Sequence, residues 1–339
     1  MPIKKRNLDA SLIQWIMSQT GLGPGIGELQ YVAPATSTAS QFRAQLQSMG
    51  VEQGNTIHTT PILAEASMVA GRNDIMLILP GTYTGTGAAP MTWDKDHTHM
   101  LGLCSPPKHE YGSNGVIIRT TSDDGVFAMT NTAKMCQFQN VAFHQYGEDA
   151  ACLTAFREAG YMNNFRGCHF FGHIRSDVAA LTTSSSLEIN CAVAGAGGAD
   201  VFDKCVIGGS GGAKRTGANG SLLFTGGAVS AGGDMQFLDT QFMNWMEDAD
   251  PSAILIKANY GADRLMLFEG CTFYNFITNH GATGPAYVIR DNCTTTHDIL
   301  LKRCARLGFD AWTSDQTYCF SADSVGATDG GQATAADES

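Results

Sequence analysis

Asp203, Asp239 and Glu269 are the acidic residues of this 339-residue chain whose spacing suits bond cleavage. Asp203 and Glu269 hold the same place in a recurring six-residue pattern, two repeats apart, and Asp239 sits on the repeat between them. Strands stacked at about 4.8 Å would separate the two carboxyl groups by roughly 9.6 Å. That touches the range in which one carboxylic acid protonates a glycosidic oxygen while an opposing carboxylate activates water. Charged residues at a solvated corner fit the same positions with no chemistry attached, so the trio is a candidate catalytic set beside an ordinary alternative.

The other reactive groupings are thinner. Cys168, His169 and His173 fall within six residues, but on a strand Cys168 points inward and His169 outward. His97 and His99 would share a strand face without a third ligand nearby, so neither grouping predicts a metal. Gly21 to Gly27 is glycine-rich, yet follows no clear strand and lacks the Gly-Lys-Ser/Thr ending of a phosphate loop, so no nucleotide cofactor is expected. The ten cysteines contain no CxxC pair and read as reduced, buried thiols. Glu247, Asp248 and Asp250 precede Pro251 and read as a solvated turn.

What must position these residues is a repeat. The pattern reads Phe138 to Phe143, Phe165 to Phe170, Phe202 to Ile207, Phe237 to Phe242, Phe268 to Phe273 and, degenerately, Leu301 to Arg306, at steps of 27, 37, 35, 31 and 33 residues. A second column, Cys152, Leu187, Leu222, Ile254 and Tyr287, keeps a similar beat. The segments alternate over four to six residues rather than at helical spacing, and a propeller signature is absent. The fold class expected is all-β: a right-handed parallel β-helix with a partly helical N-terminal arm and cap. Val141, Cys168, Cys205, Thr240, Cys271 and Cys304 would form one internal ladder, with Phe143, Phe170, Ile207, Phe242 and Phe273 beside it. On this reading Cys271→Ser costs roughly 1–3 kcal/mol through an unpaired buried hydroxyl, and Cys271→Ala less. The repeated strand then turns Ala142, His169, Val206, Gln241, Thr272 and Ala305 outward, none acidic. Asp203 and Glu269 fall in the corner column Gln139, Arg166, Asp203, Leu238, Glu269 and Lys302.

Composition narrows the function. Hydrophobic residues make up 43% and charged residues 16%, with 39 glycines and a net charge of −11, which suits a strand-rich core and opposes broad contact with nucleic acid. No run is long or apolar enough for a membrane span, and no export signal is read. The expected division is a docking arm over 1–60, the β-helix with its N-terminal cap over 61–320, and an acidic flexible tail over 321–339. In the arm, Leu8 to Ser18 and Ser37 to Met49 suit helices, the latter with Phe42, Leu46 and Met49 on one side. Pro61 to Ala70 suits a capping helix.

The block Ile75 to Tyr83, followed by Trp93 Asp94 and His99 to Leu103, resembles the first turns of pectate-lyase-like parallel β-helix proteins, most of all those of tailed bacteriophages. Together with the repeat, this covers roughly residues 60 to 320. The resemblance implies a virion protein that associates as a parallel trimer. With no paired acids on the repeated strand, the expectation is a non-enzymatic structural protein, a capsid-decorating (cement) protein or head fibre attached by its arm to the major capsid protein or another virion protein. No cofactor, metal, membrane or nucleic-acid partner is expected. The alternative is a phage tailspike that binds or depolymerises a host surface glycan.

Overall fold

The computed structural model describes residues 27–34, 43–44, 46–48, 57–85, 91–104, 115–120, 127–147, 151–172, 178, 180–192, 197–209, 214–227, 234–246, 248–260, 265–276, 284–294, 297–327 and 334–335. Three sheets of 11, 10 and 8 strands wind into a right-handed parallel β-helix. One coil runs Gln137–Gln139, Val141–Gln145, Thr154–Glu158, one strand in each sheet, and the next runs Asn164–Arg166, His169–Phe171, Ser185–Asn190. Successive coils pair in parallel throughout, and the only antiparallel pair among the described strands joins Val325–Ala327 to Thr334–Ala335. No helix among the described residues is long and apolar enough to cross a membrane.

Whereas 13 residues separate His99–Gly102 from Val116–Thr120, from Gln137–Gln139 onward the first sheet passes to the second through a turn of constant register. Its central residue is left-handed in coil after coil: Asn140 (φ 55°), Gly167 (60°), Lys204 (53°), Asp239 (47°), Gly270 (66°) and Arg303 (52°). A left-handed Lys or Arg costs about 1–2 kcal/mol, so strand pairing on both sides must hold these turns. At Gly270 a Cβ would lie 2.4 Å from Oδ1 of Asp239, so a larger residue there would require that carboxylate to move.

The core is built from like residues in register. Phe138, Phe165, Phe202, Phe237 and Phe268 stack along the axis with successive centroids 4.8, 4.6, 4.8 and 4.8 Å apart and near-parallel rings. Cys168, Cys205, Cys271 and Cys304 are buried and reduced, as their place in the repeat predicts. They do more than fill space. Each Sγ donates to the carbonyl of the core residue one coil earlier: Cys168 to Phe138 (3.3 Å), Cys205 to Phe165 (3.4 Å), Cys271 to Phe237 (3.3 Å) and Cys304 to Phe268 (3.3 Å). Thr240 and Ser324 make the same bond through hydroxyls, to Phe202 at 3.1 Å and Leu301 at 3.2 Å. This reverses the expected order at Cys271, because a serine hydroxyl finds an acceptor there and alanine loses a donor.

Three further expectations are corrected. The second column runs in register through Phe156, Leu187, Leu222, Ile254 and Ile289, so Cys152 and Tyr287 are displaced from it. The coil starts before residue 61. Leu29–Val32 pairs with Ile75–Ile78 and with Ile57–His58, and Leu46 packs on the outer cluster of Tyr31, Ile57, Ile75, Leu77 and Leu101. Asp74 clamps that entry: it accepts from the backbone N–H of Glu28 (2.6 Å) and Val69 (2.8 Å), and a Cβ on Gly27 would sit 2.2 Å from its Oδ1. At the other end Cys319–Ala322 and Val325–Ala327 extend the first two sheets past residue 320. The helix expected over Leu8 to Ser18 lies outside the described residues. The cap helix forms over Pro61–Ser67, with Thr60 Oγ1 accepting from the N–H of Leu63.

Candidate functional site

Asp203, Leu238 and Glu269 are in register on the first sheet's outer face, as the repeat predicts. Each acid is already matched to a cation. Asp203 Oδ2 lies 3.2 Å from Nε of Arg166, and Glu269 Oε1 meets Nζ of Lys302 at 3.2 Å and Nη2 of Arg303. Hydrogen bonds from Lys302 and Arg303 hold the Glu269 carboxyl below its ordinary range, the wrong direction for a general acid. Asp239 occupies the left-handed turn. Asp203 and Glu269 are each matched to a cation rather than arranged as an acid/base pair.

The residues expected to face outward on the second sheet do share one column, Ala142, His169, Val206, Gln241, Thr272 and Ala305. Its upper part is covered: Ala142 and His169 are fully buried. The neighbouring outer column brings His144 beside His169, ring centroids 5.2 Å apart, with Phe171 5.5 Å from His144. His169 Nε2 lies 2.9 Å from the carbonyl of Gly208. Burial, with His169 and Arg119 nearby, pushes the His144 imidazole well below its usual range. His97 and His99 do not form a pair, since His97 occupies a turn with φ 56° while His99 is buried in the strand. His173 lies outside the described residues. No group of three His, Cys, Asp or Glu suited to a metal occurs among the described residues.

The third sheet carries what sequence reasoning missed. Phe156, Leu187, Leu222, Ile254 and Ile289 face the core, so the residue after each lies on the sheet's other side: Arg157, Glu188, Leu223, Leu255 and Arg290, in register, with Glu188, Leu223 and Leu255 buried there. Arg157 holds Glu188 through Nε to Oε2 (3.1 Å) and Nη2 to Oε1 (3.2 Å), and Asn190 Nδ2 donates to Oε1 at 2.9 Å. The Arg157 guanidinium lies over the Phe127 ring, 3.8 Å from its centroid. The Glu188 side chain is 6% exposed and that of Arg157 33%. A carboxylate with three donors cannot rotate freely, and the guanidinium keeps Nη1 uncommitted to it. Arg290, three strands on, faces Asp250 at 3.8 Å. Three strand spacings are about 14 Å, too far for Asp250 to serve as a second carboxylate at Glu188.

A second acidic cluster lies inside the coil. Glu158, fully buried, accepts from Nδ2 of Asn131 (2.9 and 2.8 Å), the N–H of Gly160 (2.6 Å) and Nδ2 of Asn163 (3.1 Å). Asp200 accepts from the N–H of Asn163 at 2.7 Å, while its other oxygen is buried without a partner among the described residues. Burial raises both carboxyls, Asp200 to about 8 and Glu158 well above its usual range. Raised acids are a common mark of catalysis, but these two are closed off from any polymer.

No protein-family model and no curated protein matches the chain. Solved structures superpose over most of its length. Pectin methylesterase PemA from Erwinia chrysanthemi aligns over 90% of this chain and 91% of its own, at TM-score 0.56 and 13% identity. The pectin methylesterase from Aspergillus niger in deglycosylated form aligns over 94% and 93%, at 0.51 and 12%. Pectate lyase Pel9A aligns over 85% of this chain and 65% of its own, at 0.50 and 14%. At such identities the likeness establishes the fold alone, a parallel β-helix. The expectation of a non-enzymatic protein is corrected by these neighbours, which are pectin methylesterases and a pectate lyase. That expectation rested on the acid-free outer face of the second sheet, and the third sheet's outer face carries the fixed carboxylate and guanidinium.

Proposed function

We propose that this chain is a carbohydrate-active β-helix protein that removes ester groups from a polysaccharide at the Arg157–Glu188 pair. The observation that carries the reading is the nearly buried Glu188 carboxylate, fixed by Arg157 and Asn190 on an outer sheet face. Glu188 takes a proton from water, the oxygen attacks the ester carbonyl, and Arg157 steadies the tetrahedral oxyanion. Collapse expels the alcohol, which regains the proton, so ester and water become acid and alcohol. Glycoside hydrolysis needs two carboxylates across the bond, and this face supplies one. The pectin methylesterases among the superposed structures support ester chemistry. The test is product analysis on esterified and de-esterified polysaccharides. Released methanol or acetate without new chain ends supports the reading, whereas reducing ends or unsaturated sugars without alcohol or acid release overturn it.

The setting we propose is a phage particle, with the chain as a tailspike-type trimer acting on a host surface glycan. Its support is the resemblance carried by Ile75 to Tyr83 and an outer column of Met243, Tyr274 and Leu307, the last two 38% and 37% exposed, with Phe276 beside them at 38%. A row of exposed apolar side chains fits burial against copies of the same chain. Mass measurement in solution tests it: a trimer supports the setting, and a monomer at micromolar concentration opposes it.

A further inference from the structure

A pocket of about 210 Å³ opens where the cap helix Pro61–Ser67 meets the corner between the second and third sheets. Its lining mixes three kinds of surface. Ile62, Met91 and Ile118 supply apolar wall; Thr60, Thr84 and Thr120 are hydroxylated; Arg119 is the one charged residue. The volume is below the roughly 300–1,000 Å³ of sites for drug-sized molecules, so it admits a single ring rather than a stretch of polymer.

Arg119 is the arginine that lines this pocket, and like Arg43, Arg215 and Arg306 it meets no carboxylate among the described residues. Arg72, Arg157, Arg166, Arg290 and Arg303 each meet a carboxylate. Arg119 has none among the described residues. Its Nε donates to Oγ1 of Thr84, itself in the lining, at 3.4 Å, and its guanidinium lies 5.5 Å from the Tyr146 ring centroid. These contacts orient the group, and among the described residues its terminal nitrogens have no partner. In a chain of net charge −11, a guanidinium that meets no carboxylate among the described residues, beside a pocket lined by no described acid, favours an anionic ligand. Ala128 also lines the pocket, and its neighbour Phe127 carries the Arg157 guanidinium, so the pocket adjoins the proposed catalytic face.

We propose that this pocket binds an acidic sugar of single-ring size, its anion on Arg119, its hydroxyls on the threonines and its C–H face on the apolar wall. The choice of a sugar rests on the carbohydrate-active reading, while the anion and the size rest on the pocket itself. A carboxylate or a phosphate supplies the anion, and the probes separate them.

The test is calorimetric titration of the full chain with glucuronate, glucose 1-phosphate and glucose, on wild type, Arg119→Met, Arg119→Lys and Glu188→Gln, each checked by thermal melt. Expected is saturable binding of at least one charged sugar, about tenfold or more weaker in Arg119→Met, partly kept in Arg119→Lys and unchanged in Glu188→Gln. Which charged sugar binds identifies the anion. Glucose binding as tightly as both charged sugars, no saturable binding by a folded wild type, or equal binding by folded Arg119→Met overturns the proposal. Charged-sugar binding that needs Arg119 in a protein without esterase activity would leave the pocket standing and remove the catalytic reading.

Discussion

The thiol of Cys271 donates to the carbonyl of Phe237 at 3.3 Å, one coil earlier, and that bond recurs down the second-sheet edge of the coil. The position therefore selects a small side chain with a donor, which is why Thr240 and Ser324 share it. Cys271→Ser should stay within about 1 kcal/mol of wild type, and Cys271→Ala should lose about 1–3 kcal/mol by leaving a buried carbonyl short of its donor. Urea unfolding measures both. A serine variant less stable than the alanine variant would show that packing of sulfur, not the bond, governs the ladder.

Phe202 is stacked between Phe165 and Phe237, at 4.6 and 4.8 Å. Truncating it opens a cavity in the middle of a column that cannot collapse without shifting paired strands. Phe202→Ala should cost about 3–5 kcal/mol, read as a lower urea midpoint with unchanged slope. A loss under about 1 kcal/mol would mean the column is not tightly packed.

The parts legible in the sequence are those with constant spacing. From Gln137–Gln139 onward the first and second sheets are joined by a single left-handed residue, so Phe202 and Cys205 keep the same separation as Phe268 and Cys271, and the columns can be aligned by eye. The third sheet follows connections of varying length, 8 residues between Gln145 and Thr154 but 13 between Phe171 and Ser185. Counting periods there misses the register by a few residues. Placing Cys152 and Tyr287 in the column instead of Phe156 and Ile289 hid the fact that Arg157 and Arg290 each follow a core residue by one, as Glu188 follows Leu187. Glu158 and Asp200 were beyond reach for another reason: acids are rarely buried, and only the fold reveals the amides that receive them.

The interior acids make stability depend on pH. Asp200 is raised to about 8 by burial, and Glu158 is raised well above its usual range by burial and by Asp200; Cys191 feels both acids and Tyr260 feels Asp200, and no cation among the described residues is a cause of either acid's shift. The folded chain holds protons that the unfolded chain releases near pH 4, so their contribution is full below that pH and is lost as pH rises toward 8. Asp200→Asn should flatten the decline between pH 5 and 8 and gain stability relative to wild type at pH 8. Urea midpoints at the two pH values measure this. Wild-type stability that is level across the window, or that rises with pH while Asp200→Asn does not, would contradict it.

We propose that Glu188, held by Arg157 on the third sheet, performs ester hydrolysis on a polysaccharide. The measurement that reaches it most directly is the initial rate of methanol or acetate release from an esterified polysaccharide by wild type and by Glu188→Gln. The variant keeps the side chain's shape and its bond to Asn190 through the amide oxygen but loses the basic carboxylate. Ester release by wild type and a fall of at least about 10²-fold in Glu188→Gln are expected, with the fold intact by circular dichroism. Equal rates in the two proteins, or no ester release by wild type from any esterified polysaccharide while chain cleavage proceeds, would contradict it.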